Sequence, residues 1–340
     1  MFYRPDIDYG SASVRGPVGI VMNRGLSNLF YGPEEREIFS LNWGDRFDNV
    51  GLVLRTPLQS IEDVGGWGEF IRREFLVPSR SIWEWSSTSN YAGHVVAGGL
   101  SYRYLREWME YRGVPLSGVA AATLVLGANV VNEAIEWPRN VTGRANSMAD
   151  MYVFEPLGVL LMSHDGIARF FTETLRAADW SPQVSLTLPS GRVQNVSQVM
   201  SYKVPLPWVG EWRGLVTLGL LAQVGITHPV GQEGLSLGAT FGYNGRGRVV
   251  DPITGLERWE TALASGLFLD RNNSLLASMI VSETGYERVQ FNVFPGLLPG
   301  EIGRRLGLWA TYREDDGWSI GIATRRTLGL GTGIDWVRQD

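Results

Sequence analysis

Cysteine is absent from the sequence, which excludes disulfide bonds, thiol nucleophiles and thiolate metal sites together. Lysine is nearly absent as well, because Lys203 is the single lysine among 30 basic residues. The formal net charge is −5, so there is no general excess of the positive charge that binds a phosphate backbone. We therefore expect no nucleic-acid partner.

A secretory leader is also missing, since the segment Met1-Phe2-Tyr3-Arg4-Pro5-Asp6 is polar where the apolar core of a leader would lie. We expect an exported protein whose leader has been removed. Long hydrophobic runs are scarce. The longest uncharged helical stretch, Val114 to Asn132, reaches the roughly 17–25 residues that span a membrane. Pro115 and several small polar residues dilute it, and this favours a helix packed inside the protein.

Glycine and aromatic residues are abundant, with 42 glycines, 13 tryptophans and 12 tyrosines, a combination typical of β-barrels. The pattern divides the chain into three zones. Residues 1–88 read as irregular, with two early strands at Val18–Met22 and Val50–Leu54. Residues 89–178 have a helical pattern, and residues 179–340 read as successive strands separated by turns at Asn244-Gly245, Asp270 to Asn273 and Asp315-Asp316-Gly317.

The strand zone alternates between large apolar residues and small or polar residues. This alternation predicts a membrane-type antiparallel β-barrel of about 8–12 strands, mainly β, with a three-helix insertion. The residues predicted to face lipid are Leu235, Leu237, Phe241, Leu306, Leu308, Ile320 and Ile322. Those predicted to face the barrel interior are Gly238, Thr240, Gly307 and Thr311. The alternative is a water-soluble barrel or sandwich with the two faces reversed.

Three helices are predicted within the insertion. The first runs from Asn90 to Arg112 and the second from about Pro115 to Trp137. The third opens at Ser147, which with Asp150 forms a capping-type pattern.

The order Asn-x-x-Gly-His-x-x-x-Gly-x-x-x-Tyr, Asn-Glu-x-x-Glu and Ser-x-x-Asp resembles an uncharacterised bacterial envelope family of unknown function. In that family a helical domain precedes an outer-membrane barrel. The pattern is more distantly similar to VanZ-like membrane proteins, and the Glu155-Pro156 pair departs from that second pattern. The matching residues are Asn90, Gly93, His94, Gly98, Tyr102, Asn132, Glu133, Glu136, Ser147, Asp150 and Gly158. The resemblance implies the architecture and the choice of site, and it implies no particular reaction.

A polar site is predicted in the helical insertion because a carboxylate at the end of an uncharged helix needs a partner. Its candidate catalytic residues are His94, Glu133 and Asp150, which we expect to meet. The candidate supporting residues are Asn90, Tyr102, Arg106, Asn132, Glu136 and Ser147. Three interpretations stay open: a buried structural network, an acid/base or divalent-metal site, and a lipid-headgroup site with Arg106, Arg139 and Arg144 as anion partners.

Three functions are compatible with the sequence. The first is an outer-membrane barrel of a Gram-negative envelope, with a structural, transport or lipid-interacting role and membrane lipid as its partner. The second is an envelope enzyme, lipid-modifying or hydrolytic, that uses the His94, Glu133 and Asp150 site. The third is a soluble barrel that binds an apolar ligand.

Overall fold

Strands dominate the second half of the chain, as the alternation predicts. The computed structural model describes residues 2–30, 36–76, 90–136, 141–219, 221–231, 233–250, 257–283, 286–325 and 330–336. Within these residues the strands are β1 Ala178–Asp179, β2 Ser185–Leu188, β3 Val193–Gln194, β4 Val199–Pro205, β5 Arg213–Gly219, β6 Leu221–Pro229, β7 Leu235–Val250, β8 Glu257–Arg271, β9 Ser274–Ser282, β10 Glu287–Val293, β11 Leu306–Arg313, β12 Trp318–Thr324 and β13 Gly331–Trp336.

The strands form one 13-stranded mixed sheet in the order β1-β4-β5-β6-β7-β8-β9-β10-β11-β12-β13-β2-β3. Strands β4 to β13 are joined to their chain neighbours as antiparallel pairs, and β13 pairs with β2 in parallel. Among the described residues β1 and β3, the two ends of this order, do not pair with each other. The prediction of a closed, wholly antiparallel barrel is therefore wrong, because β2 joins β13 in parallel and the sheet stays open.

The two faces of the sheet differ in the predicted sense. Leu237, Phe241, Leu308, Ile320 and Ile322 are exposed on the outer face, and Leu235 and Leu306 are half-buried. The small and polar residues Gly238, Thr240, Gly307 and Thr311 are buried on the inner face. The predicted orientation of the large residues is confirmed.

Two of the three predicted turns lie between strands. Asn272 and Asn273, both with positive φ, connect β8 to β9, and Asp316 turns the chain between β11 and β12. Asn244-Gly245 is not a turn. It lies inside the 16-residue strand β7, where the pairing with β8 shifts register between Gly245 and Gly247.

The helices of the described residues are α1 Gly10–Val14, α2 Pro17–Gly25, α3 Trp43–Arg55, α4 Pro57–Asp63, α5 Trp67–Glu74, α6 Gly99–Tyr111, α7 Ser117–Glu136, α8 Val141–Ala149, α9 Glu155–Ser163, α10 Asp165–Arg169 and α11 Gly300–Arg305. Asn90–Gly98, Asp150–Phe154 and Phe170–Thr174 are π-helical segments that continue neighbouring helices, and Ser27–Phe30 is a 3₁₀ turn.

The N-terminal zone is helical where early strands were predicted. Val18–Met22 lies in α2 and Val50–Leu54 lies in α3, so both strand predictions are wrong. A short apolar run does not distinguish a strand from a helix. Helix-start signals were present: Pro17 opens α2, and the Asn42 side chain caps α3 by accepting a hydrogen bond from the Asp45 amide at 3.4 Å.

Helix α7 is, among the described residues, the helix whose length and composition would allow it to cross a membrane, with a mean hydropathy of 1.4. Nearly half of its apolar window is buried, and it packs against α2, α3 and α6. The helix therefore packs against the helical layer, whereas its placement inside the protein stays a prediction. The N-terminal segment then reaches the sheet, where the amide of Gly10 donates to the carbonyl of Pro295 at 2.7 Å.

Candidate metal centre in the helical layer

The segment before α6 crosses α9 at an unusually small separation because both carry glycine. A Cβ atom on Gly99 would lie 2.6 Å from the carbonyl oxygen of Gly158. A Cβ atom on Gly158 would lie 2.5 Å and 2.7 Å from the carbonyl oxygens of Val95 and His94. Only a residue without a side chain fits at these contacts. The close crossing brings the turn that carries His94 against the start of α9, where Glu155 lies.

His94 lies between two carboxylates. Its Nδ1 atom is 3.0 Å from Oε2 of Glu155, and its Nε2 atom is 3.5 Å from Oδ2 of Asp150. Arg24 donates to both oxygens of Glu155, at 2.8 and 2.7 Å. Nδ1 of His94 thus faces the carboxylate that Arg24 holds, and Nε2 is left on the side of Asp150.

Glu133 enters the site from the last turn of α7. Its side chain is fully buried, and its Oε2 atom accepts a 2.6 Å hydrogen bond from the hydroxyl of Ser147. The predicted capping role of Ser147 is wrong, because α8 begins six residues earlier at Val141 and Ser147 lies inside the helix. Ser147 instead supplies a side-chain donor to Glu133.

Asp150 is a buried carboxyl whose pKa the site perturbs. Its pKa is raised well above the ordinary carboxyl value, chiefly by burial and then by repulsion from Glu133, Glu74 and Glu155. Its Oδ2 atom accepts a hydrogen bond from Asn146 at 3.1 Å. Its Oδ1 atom is buried and has no hydrogen-bond partner among the described residues. An anion in this position needs a proton or a cation.

A second layer of amides holds the acidic groups in place. Asn90 donates from Nδ2 to Oε2 of Glu74 at 3.1 Å, and Asn146 donates to Oδ1 of Asn90 at 3.2 Å. Asn146 also lies 3.3 Å from Oε2 of Glu74. The predicted supporting residue Asn90 therefore lies beside the site and is linked to Asp150 through Asn146.

The three predicted residues offer a set of metal ligands. One ligand atom each of His94, Glu133 and Asp150 lies within 4.8 Å of the other two, so their predicted approach is confirmed. One imidazole nitrogen and two carboxylate oxygens suit a borderline divalent ion such as Zn²⁺, held at roughly 2.0–2.2 Å. The hydrogen bond from His94 to Glu155 matches the way metal-binding imidazoles are oriented by a carboxylate. The orphaned Oδ1 of Asp150 fits the same interpretation.

Two predicted supporting residues lie on another face of α7. Asn132 accepts hydrogen bonds from the hydroxyl of Ser27 at 2.7 Å and from the amide of Asn28 at 3.2 Å. Glu136 accepts from Nδ2 of Asn28 at 2.8 Å. Both residues fix the 3₁₀ turn after α2 and do not join the metal ligands.

Tyr102 and Arg106 also lie apart from the site. Tyr102 is buried in an apolar cluster between α6 and α7, and Arg106 binds Glu110 at 2.7 Å. Arg144 pairs with a carboxylate of α4 at 3.7 Å, and Arg139 lies outside the described residues. Arg106 and Arg144, which were predicted to bind a lipid headgroup at this site, therefore form ion pairs elsewhere.

Four residues of the site were not predicted: Glu155, Glu74, Arg24 and Asn146. Glu155 had a detectable signal, because it is a carboxylate in the apolar stretch Val153–Met162, just as Glu133 ends an uncharged helix. Glu74 and Arg24 had none, because their helices α5 and α2 reach the site only through tertiary packing.

Comparisons with known proteins were made at three levels. No protein-family model, no curated protein and no solved structure matches the chain. The resemblance to an envelope family and to VanZ-like proteins therefore stays an expectation drawn from the residues of the helical segment.

One further sequence motif matches a known catalytic pattern but does not form the turn that the pattern requires. Gly234-Leu235-Ser236-Leu237-Gly238 spells the pattern of a nucleophile elbow, which requires a sharp strand-to-helix turn. Here Ser236 lies within β7, paired with Pro229 of β6 and Asp270 of β8. The pattern is part of a regular antiparallel strand.

Proposed function

We propose that the protein is embedded in a lipid membrane through the outer face of its sheet, as an outer-membrane protein with a structural, transport or lipid-interacting role. The observation that carries this proposal is the apolar character of the exposed face of the sheet. Large apolar side chains are exposed on the outer face, and the inner face buries polar side chains beside apolar ones such as Phe268 and Trp309.

The exposed apolar residues are contiguous across strands. Val224 of β6, which is 66% exposed, lies opposite Phe241 of β7, which is 55% exposed. Phe291 lies opposite Met279 in the same way, between β10 and β9. Water-soluble monomers rarely expose a continuous apolar surface of this kind, whereas a hydrocarbon solvent favours it.

The inner face supports the same proposal. Thr311, Gln290 and Arg313 are almost completely buried there, although a soluble barrel would place its apolar residues inside. An open sheet in lipid must limit its unpaired backbone groups. The edge strands β1 and β3 are only two residues long, and beyond β1 the amide of Lys203 in β4 donates to the carbonyl of Leu175 at 2.7 Å, which covers part of this edge.

The absence of cysteine allows a direct test. Single cysteines at Val224 and Ile320 on the outer face, and at Thr311 and Ser278 on the inner face, are spin-labelled in protein reconstituted into lipid vesicles. Collisions with oxygen report lipid, and collisions with a water-soluble nickel complex report water. We expect the outer labels to collide preferentially with oxygen, and the inner labels to be shielded from oxygen at the same depth.

The inner pair serves as the matched control, because threonine and serine are close to cysteine in size. Protein that stays in the aqueous phase without lipid, with outer labels open to the nickel complex, would contradict membrane insertion. That result would favour a soluble apolar-ligand protein.

A second function is favoured by the arrangement of His94, Glu133 and Asp150. In this proposal the helical layer binds one divalent cation and serves a hydrolytic or lipid-modifying envelope enzyme. Such an ion would polarise a phosphoryl or carbonyl oxygen and lower the pKa of a bound water. The chain's own residues then have distinct tasks: His94 binds through Nε2, Glu155 orients its ring, and Ser147 holds the Glu133 carboxylate.

Metal binding is tested on the full chain by elemental analysis and by titration with Zn²⁺ and Mn²⁺. We expect one ion per chain, lost in Glu133→Gln and in His94→Ala. Asp165→Asn is the matched control, because Asp165 is exposed and binds Arg103 outside the site. Stoichiometric binding lost only in the site variants supports the metal centre. Absence of binding, with reduced stability of the site variants, would identify the cluster as a structural network.

A further inference from the structure

A large cavity shares none of its lining residues with the candidate metal centre. Its volume is about 750 Å³, within the range of roughly 300–1,000 Å³ that small-molecule sites occupy. The N-terminal segment, the end of the helical layer and the ends of strands β4 to β8 form its walls. Phe2, Ile7 and Tyr104 contribute apolar surface.

Five cationic side chains line this cavity, and three of them, Lys203, Arg176 and Arg213, form one cluster. They are close enough for Arg176 and Arg213 to repel Lys203, and for Arg176 to repel Arg213. One buried carboxylate, Asp270, lies among them and accepts from Lys203 through both oxygens at 2.7 Å. This cluster therefore carries an excess of two positive charges in a chain whose net charge is negative.

Over the whole lining the excess is one positive charge, because Arg4, Arg15, Asp179, Glu173 and Glu211 also line the cavity. Asp179 is paired with Arg15. Glu173 and Glu211 are exposed and form no ion pair with Arg176 or Arg213 among the described residues. The guanidinium groups of Arg176 and Arg213 are thus available to an anion from outside the chain.

A neutral polar group points to the same kind of ligand. Thr227 lines the cavity, is 2% exposed, and its hydroxyl has no hydrogen-bond partner among the described residues. A buried hydroxyl of this kind is costly unless a ligand completes its hydrogen bonding. His228, the next residue, also lines the cavity and packs at a tilt against Trp212, with ring centroids 4.6 Å apart.

We propose that this cavity binds a phosphate-bearing ligand through Arg176, Arg213 and the hydroxyl of Thr227. Guanidinium groups bind phosphate oxygens in paired hydrogen bonds, and a buried hydroxyl adds a donor. The ligand carries its phosphate either as a lipid headgroup or as a free anion. The segment between β4 and β5 leads into Arg213, the first residue of β5, and exposes Trp208 at 91%. This favours a lipid, because tryptophan prefers the membrane interface.

The proposal is independent of the metal centre and is tested on the full chain in neutral detergent. Inorganic phosphate and short-chain phosphatidic acid are titrated separately, and heat of binding is measured for each. We expect saturable binding of at least one of them. Arg176→Gln/Arg213→Gln should weaken it roughly tenfold to hundredfold, the range expected for lost charged hydrogen bonds. Arg304→Gln, an exposed arginine paired with Glu301, should leave it unchanged.

Thr227→Val, which keeps the shape of the side chain and removes the hydroxyl, provides a second variant that leaves every charge in place. It should weaken binding about tenfold. Binding of phosphatidic acid alone identifies a lipid as the source of the phosphate, whereas equal binding of both probes identifies the free anion as sufficient. No binding of either probe, or binding unaffected by the double arginine variant and by Thr227→Val, would overturn the proposal.

Discussion

The Nδ1 atom of His94 lies 3.0 Å from the Oε2 atom of Glu155, although the two residues are 61 positions apart in the chain. This contact orients the imidazole so that Nε2 is turned towards Asp150, 3.5 Å away. In metal sites a carboxylate often hydrogen-bonds the ring nitrogen of a histidine that does not bind the metal. Glu155 has this position relative to His94.

Replacing Glu155 by Gln should weaken divalent-cation binding by roughly tenfold to hundredfold, because the ring of His94 loses the carboxylate that orients it. Titration of the variant and of the wild-type chain with Zn²⁺ measures the change. Glu301→Gln is the control, because Glu301 is exposed and distant from the site. Equal affinity in Glu155→Gln and the wild type would show that Glu155 does not orient the ligand.

Gly98 and Gly93 lie in the same π-helical segment and predict opposite results on replacement by alanine. A Cβ atom on Gly98 would collide with the carboxylate of Glu155, whereas one on Gly93 has nothing within 4 Å. We expect Gly98→Ala to destabilise the protein by about 1–3 kcal/mol through overpacking. Gly93→Ala should be neutral or stabilise it by up to roughly 1 kcal/mol. Unfolding of both variants under identical conditions tests the contrast, and equal effects would contradict the close crossing.

The raised pKa of Asp150 predicts a pH-dependent stability of the metal-free protein. A carboxyl whose pKa is higher in the folded than in the unfolded state stabilises the fold fully below its unfolded value, about 3.9. This contribution is lost as the pH rises through the folded pKa. The free-energy difference between the wild type and Asp150→Asn should therefore shift against the wild type as the pH increases. Parallel stability curves for the two proteins would contradict it.

Val224→Arg and Val209→Arg test the depth of membrane insertion. Val224 lies in the middle of β6 on the outer face, and Val209 lies in the connection between β4 and β5. In lipid vesicles we expect a cost of about 2–4 kcal/mol for arginine at the midplane and about 0–1 kcal/mol near the interface. For a protein in water both exposed sites would tolerate arginine within about 0.5 kcal/mol. Unfolding measured in vesicles separates the two cases.

Local patterns predicted most of the sheet because alternation along one strand needs no knowledge of its partners. Leu237 and Thr240 could be assigned to opposite faces from the sequence, and burial agrees. Whether the sheet closes could not be predicted in this way. The partner of β13 is the short strand β2 and not β4, and this choice depends on contacts between residues that are distant in the sequence.

Part of the candidate site could be predicted, because a charged residue within an apolar stretch of sequence indicates a buried charge. Glu133 was found on that basis, and Glu155 carries the same signal. The start of the third helix was misplaced because Ser147 matches a capping pattern but lies inside α8. Arg24 could not be assigned, because its ion pair with Glu155 joins residues 131 positions apart.

The pairing of β2 with β13 has a consequence for the order in which the protein matures. Ser185 and Gly331 are neighbours in the sheet, and Gly10 is hydrogen-bonded to Pro295. Both contacts join residues that are far apart in the chain. Such distant pairings make folding slow, because the entropy cost of closing a long loop comes before the contacts that stabilise it. Strand β2 and the segment around Gly10 must therefore remain unaggregated until β13 and Pro295 are available to pair with them.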